Sequence, residues 1–178
     1  NTISQRGTKI IASIADLHFP VKNIAPQNQF TILDEQFLSK IEQLPKLDIV
    51  TVLGDLYDHK VLTTSDAALY ASMFIGKLVE ICRSKGSTLL VIQGTLQHDS
   101  NQLKLYYHYM HDDSIDVRII TQIQFEYVKG MRILCIPELY GVDESIYQYY
   151  LHSGWYDMCF MHGTFKGAVY GDNAGEGR

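Results

Sequence analysis

Only three cysteines, four prolines and one tryptophan occur in 178 residues, and no two cysteines fall in a CxxC spacing. Cys82, Cys135 and Cys159 are odd in number, far apart and set among apolar neighbours. That pattern supports neither a disulfide framework nor a cysteine-type zinc site. It fits buried free thiols in a reducing compartment, the cytoplasm by default. No apolar run approaches the roughly 18 residues of a membrane span, so no membrane partner is expected. Positive charge is also in short supply, with 15 Lys and Arg against 20 Asp and Glu and a net charge of −5. A protein held to nucleic acid by its own basic face shows the opposite balance. Missing too are a glycine-rich phosphate loop ending in Lys-Ser or Lys-Thr, a dinucleotide fingerprint and a Gly-x-Ser-x-Gly elbow.

What is present is a chain of globular composition, 46% hydrophobic and 20% charged, long enough for one domain spanning residues 1–178. Lys9 to Ala15 is a short β-branched run that predicts a strand buried on both faces. Leu33, Phe37, Leu38, Ile41 and Leu44 recur at helical spacing and predict a helix from Thr31 to Leu44. A second buried strand, Asp48 to Leu53, is followed by a long helix capped at Thr64 or Ser65 and stopped after Lys85 by Gly86. A third strand spans Leu89 to Ile92, and an amphipathic helix is expected from Leu103 to His111.

From Val117 onward the texture changes to short strands. Phe125–Val128 and Met131–Ile136 read as a hairpin turned at Lys129-Gly130. A helix near Glu144 to Leu151 and a last strand, Met158 to Met161, follow. Gly171 to Arg178 is glycine-rich, lacks apolar residues and is expected to be mobile. Alternating strands and helices indicate an α/β fold with parallel crossover units, and the hairpin indicates a second sheet packed on the first.

One regularity carries the functional reading. The first, second, third and last strands each run into a loop bearing Asp or His: Asp16 and His18, Asp55 and Asp58, His98 and Asp99, and His162. The carboxyl ends of parallel strands share one edge, where ligand sites collect. Carboxylates and imidazoles gathered there suit a pair of divalent metal ions. In an extended segment, Asp16 and His18 point to the same side and can grip one ion. Asp55 follows Gly54, which permits close approach, and its two oxygens can bridge two ions. His162 offers a nitrogen to the second ion. His98, held by Asp99, either stabilises charge developing on a phosphate or protonates the leaving oxygen. Asp58 orients a ligand or begins a turn. His59, His108, His111 and His152 read as solvated surface residues. The tyrosines at 106, 107, 109, 147, 149 and 150 fit amphipathic helix faces better than base-stacking platforms. Two ions about 3.5–4 Å apart activate water and stabilise an in-line displacement at phosphorus.

The order Asp16-x-His18, Gly54-Asp55-x-x-Asp58, Gly94 through His98-Asp99, and His162 resembles the calcineurin-like metallophosphoesterases. Within them it is most similar to the nuclease subunit of SbcCD-type DNA repair complexes, bacterial or phage. The resemblance implies a four-layer α/β/β/α sandwich, with two mixed sheets flanked by helices. It implies two manganese ions, with Asp55 bridging, Asp16 and His18 on one ion and His162 on the other. It also implies exonuclease and endonuclease activity on DNA in repair or recombination. The implied partners are DNA, a coiled-coil ATPase subunit of the SbcC type and a second copy of the chain, in the cytoplasm of a bacterial or phage-infected cell.

The chain departs from that family twice. The third motif, normally Gly-Asn-His-Asp or Gly-Asn-His-Glu, is here Gly94-Thr95-Leu96-Gln97-His98-Asp99, which makes Gln97 a candidate ligand in place of Asn. The closing Gly-His-x-His loop has no match after His162, so the family pattern is expected to continue past Arg178. Two other functions fit the same residues: a phosphoesterase for small substrates such as nucleotides or phosphoproteins, and a non-catalytic scaffold that keeps the fold.

Overall fold

Among the described residues, seven short strands form two sheets, and their alternating apolar faces account for the way the sheets stack. The computed structural model describes residues 7–163; Gly171 to Arg178 lie outside the described residues. Strands β1 (Ile11–Ala15), β2 (Ile49–Leu53), β3 (Thr88–Ile92) and β4 (Asp116–Ile120) make one sheet in that order, every pair parallel. Strands β5 (Gln124–Val128), β6 (Met131–Ile136) and β7 (Met158–Met161) make the other. In it β5 pairs antiparallel with β6, and β6 pairs parallel with β7.

The expectation of two mixed sheets therefore holds only for the second. The first is uniformly parallel because each of its strands returns through a crossover long enough to bring the chain back to the same end. Its fourth strand lies where the sequence turns to short strands at Val117, with bounds left open because Asp116-Val117-Arg118 interrupts the apolar run. β1 lies at the sheet edge and is half-exposed, not buried on both faces.

Helices α1 (Pro26–Leu33) and α2 (Ser39–Glu42) are joined through a π-helical turn, Asp34–Leu38, into one continuous helical segment. It begins five residues earlier than the apolar spacing predicts. Pro26 accounts for this, since a first-turn proline has no orphan N–H to satisfy and brings a helix-compatible φ. Helix α3 (Asp66–Lys85) keeps its predicted ends. The Ser65 side chain accepts from the Ala68 amide at 3.3 Å, and Gly86 closes the helix at φ 61°. Short α4 (Leu96–Asp99) precedes a 3₁₀ helix, Gln102–His111, where an amphipathic helix was expected. Helix α5 (Glu144–His152) is capped by Asp143, which accepts from the Ser145 amide at 2.8 Å. Among the described residues, no helix is long and apolar enough to cross a membrane.

Successive strand residues face opposite sides, so three cores result. Val50, Val52, Leu89, Val91, Val117 and Ile119 pack under Phe74, Ile75 and Leu78 of α3. Ile49, Leu90 and Ile92, from the other face of the same sheet, pack against Ile133, Cys135 and Phe160 of the second sheet. Leu134 and Ile136 face away from that interface, toward Tyr147, Tyr150 and Leu151 of α5. Fully burying one such side chain contributes about 1.5–3 kcal/mol, which fixes the register of each strand. The hairpin turns at Lys129-Gly130, where both residues have positive φ (49° and 80°), the twist that a tight two-residue turn needs. Cys82 and Cys135 are buried and free, with thiols pushed up to about 12 by burial, whereas Cys159 is half-buried.

Candidate metal centre

Loops from both sheets meet at one edge because backbone hydrogen bonds continue past the strand ends. Asp16 N donates to Gly54 O at 3.2 Å, His18 N to Asp55 O at 2.8 Å and Gly54 N to Ile92 O at 2.9 Å. From the second sheet, Glu138 N donates to Gln93 O at 3.3 Å and His162 N to Ile136 O at 3.0 Å. Asp16, His18 and Asp55 adopt positive φ values of 54°, 49° and 49°. Non-glycine residues rarely take this left-handed conformation, which recurs at ligand-binding sites. Asp16 and His18 thus do not converge through an extended segment, as the alternation argument supposed. They converge through two left-handed turns, with His18 Nε2 3.9 Å from Asp16 Oδ1.

Asp55 is the centre of the cluster. Its Oδ2 lies 2.8 Å from His98 Nδ1 and 3.9 Å from His18 Nε2, and its Oδ1 lies 3.4 Å from His162 Nε2. The Thr95 amide also donates to Oδ1 at 2.7 Å. Two groups of donor atoms result, His18 with Asp55 and His98, and Asp16 with Asp55 and His162, each mutually within 4.8 Å. Asp55 belongs to both. The division differs from the one expected, in which Asp16 and His18 share an ion. His98 also joins a donor group.

Burial by itself would raise the Asp55 carboxyl. The imidazoles of His162 and His98 and the Thr95 amide outweigh it and hold the group well below the usual carboxylate range. Burial would likewise lower His162, but the Asp55 carboxylate keeps its proton and pushes it up to about 9. His162 Nδ1 lies 3.0 Å from the Leu53 carbonyl. A carbonyl can only accept, so Nδ1 carries hydrogen and Nε2 is the atom turned to the carboxylates.

The donor set fits a cation. Among the described residues, the ion pairs of Asp16, Asp55, Asp58 and Glu138 are made with histidines, and no lysine or arginine joins them. His18 Nδ1 and His98 Nδ1 are buried without a hydrogen-bond partner. The 2.8 Å approach of His98 Nδ1 to Asp55 Oδ2 is within hydrogen-bond range but lacks the alignment of one. Buried polar atoms left this way are costly unless another group satisfies them. Two glycines make the close packing attainable: a Cβ on Gly54 would lie 2.2 Å from the His162 ring, and one on Gly94 would lie 2.2 Å from Asp55 N and Oδ1.

Two expected residues, Gln97 and Asp99, are placed elsewhere than their proposed roles require. Gln97 is exposed on α4, and among the described residues no hydrogen bond links it to the cluster. Asp99 does not hold His98. It is fully buried, and its oxygens accept from Gly94 N at 2.9 Å and Tyr57 N at 3.3 Å. Neighbouring residues of a helical turn point in different directions, so His98 can face the cluster only if Asp99 does not. Burial raises the Asp99 carboxyl, and the Gly94 and Tyr57 amides oppose that. Asp58 touches the rim, with Oδ1 3.7 Å from His18 Nδ1 and Oδ2 3.1 Å from His59 Nδ1. His59, His108, His111 and His152 are exposed, while Tyr106 is buried and hydrogen-bonded to Tyr57, not available for stacking.

Two residues join the site that sequence reasoning passed over. Thr95 Oγ1 lies 3.2 Å from Asp55 Oδ2 and 3.2 Å from Glu138 Oε2. Glu138 Oε2 is 3.6 Å from His162 Nε2. The signal for Glu138 was available, since it follows a strand end just as Asp16 and Asp55 do. A cavity of about 570 Å³ opens beside the cluster; its lining includes Pro20, Ile24, Asp58 and His59 but none of the central donors. Compared with known proteins, the chain matches no family model and no curated protein.

Proposed function

We propose that this chain is a metal-dependent phosphodiesterase that adopts the four-layer sandwich of the calcineurin-like metallophosphoesterases and cleaves DNA. The observation that carries this reading is the position of Asp55, one buried carboxylate shared by two separate Asp/His donor groups. His18 and His98 would hold one divalent ion with Asp55, and Asp16 and His162 the other, manganese being the expected species. Bound there, such a pair supplies Lewis acidity toward phosphate oxygens and makes water nucleophilic near neutral pH.

The residues themselves do the positioning. Asp55, fixed by the Thr95 amide, sets the separation of the two groups. The Leu53 carbonyl fixes which ring nitrogen His162 presents. His98 is about a quarter exposed, so with one ring nitrogen turned to the ion the N–H of the other would be left to stabilise charge on a phosphate. The net charge of −5 gives DNA no general attraction, so binding depends on bound cations or on a partner. An ATPase of the coiled-coil type and a second copy of the chain are the partners that the resemblance favours, in a cytoplasmic setting.

The test is manganese-dependent hydrolysis of single- and double-stranded DNA by the full chain, lost on chelation and in Asp55→Asn and His98→Ala. Cleavage that survives both substitutions overturns the reading. A second reading, hydrolysis of small phosphodiesters, is favoured by the same acidic charge. Turnover of a bis-aryl phosphate with none of DNA selects it.

A further inference from the structure

We propose that Glu138, together with Thr95, completes the cation position formed by Asp16, Asp55 and His162. This inference rests on the two-metal reading above and adds to it a carboxylate that the sequence motifs do not contain.

The case begins with hydrogens. A hydroxyl carries one hydrogen, yet Thr95 Oγ1 stands 3.2 Å from both Asp55 Oδ2 and Glu138 Oε2. It can donate to one of these carboxylates, and its lone pair then faces the other. His162 repeats the shortage. With Nδ1 committed to Leu53 O, Nε2 has at most one proton for Asp55 at 3.4 Å and Glu138 at 3.6 Å. Three carboxylates, Asp16, Asp55 and Glu138, therefore meet fewer hydrogens than they have oxygens turned inward. Like charges gathered at one site repel, and a divalent cation removes the conflict.

Glu138 stands outside the donor group that Asp16, Asp55 and His162 form within 4.8 Å of one another, and its side chain reaches that group through His162 Nε2 and Thr95 Oγ1, so binding requires it to rotate inward. Bonds of about 2.1 Å to an octahedral ion place neighbouring donors on the order of 3 Å apart. The separations around His162 Nε2 exceed that by a few tenths of an ångström, which small side-chain rotations can close. Glu138 is also braced for the task. Its backbone amide is pinned to Gln93 O at 3.3 Å. Thr95 follows Gly94 directly after β3, so backbone geometry brings its hydroxyl to the cluster while Gln97 stays outside.

The experiment is manganese titration of the full chain by calorimetry, with electron paramagnetic resonance to count bound ions. Wild type is expected to bind two ions. Glu138→Gln keeps the volume and an acceptor for Thr95, and is expected to weaken one of the two by about 10- to 100-fold while the other is unchanged. Glu138→Asp keeps the charge but shortens the reach, and is expected to lose the same ion. That outcome separates ligation from a general field effect. Two ions held with wild-type affinity by both variants overturn the inference while leaving the two-metal reading intact. A wild-type chain that binds no manganese overturns both.

Discussion

The imidazole of His162 occupies the space that a β-carbon on Gly54 would need, 2.2 Å from Nδ1 and 2.4 Å from Cγ. Gly54 also sits at φ +73°, which any other residue adopts only with strain. Gly54→Ala is therefore expected to expel the His162 ring from the cluster and to cost about 1–3 kcal/mol. Manganese stoichiometry should fall from two to one, and the urea midpoint should fall with it. Retention of both ions would show that His162 is not a ligand.

The His162–Asp55 pair sets a pH dependence in the metal-free chain. His162 is pushed up to about 9 from a usual value near ~6.5. Its contribution to stability is thus complete below about 6.5 and is lost as pH rises through about 9. Asp55 is depressed, so its contribution is present above a usual value near ~3.9 and is lost as pH falls through its folded value. Metal-free urea midpoints should decline from pH 6.5 to 9, and His162→Gln should flatten that slope. Metal competes with the proton on Nε2, so manganese affinity should rise across the same window with proton release. Calorimetry in buffers of different ionisation enthalpy measures that release, and a constant affinity contradicts the assignment.

Asp99 distinguishes a structural from a catalytic carboxylate. Asp99→Asn replaces one acceptor oxygen with an amide that faces the Gly94 or Tyr57 N–H. One buried donor is left unpaired, at a cost of about 1–3 kcal/mol. Stability should drop by that amount while manganese binding stays at two ions. A stable variant with a displaced pH–rate profile would instead make Asp99 the partner of His98.

Gln29 braces the first loop from below. It is buried, its amide donates to Leu17 O and its Oε1 accepts from Val21 N at 3.0 Å, on either side of His18. Gln29→Ala leaves a carbonyl and an amide without these partners, again about 1–3 kcal/mol. The loosened loop should weaken the ion held by His18 and His98 more than the other. Equal weakening of both would indicate general destabilisation.

Much of the fold was readable because it depends on local pattern. β-Branched runs marked β2 and β3, the Ser65 cap and Gly86 stop bounded α3, and Lys129-Gly130 marked the hairpin turn. β4 was legible only as the start of a stretch of short strands at Val117, with no bounds, because Asp116 pairs with Arg118 and Arg118 with Glu126 at the sheet edge, so charge stands where an apolar run was sought. The 3₁₀ geometry of Gln102–His111 was missed because its apolar spacing is close to that of an α-helix.

Within the site, the sequence determined which loops carry acid and imidazole, because parallel strands deliver their carboxyl ends to one edge whatever the details of packing. Only the tertiary structure decided which side chains turn inward. Left-handed turns at Asp16, His18 and Asp55, the missing β-carbons of Gly54 and Gly94, and the contact of Glu138 with Thr95 bring Glu138 and Thr95 in and leave Gln97 and Asp99 out. Side-chain direction at a strand end depends on the backbone angle of one or two residues and on what packs against them across the two sheets, and neither is encoded in residue spacing.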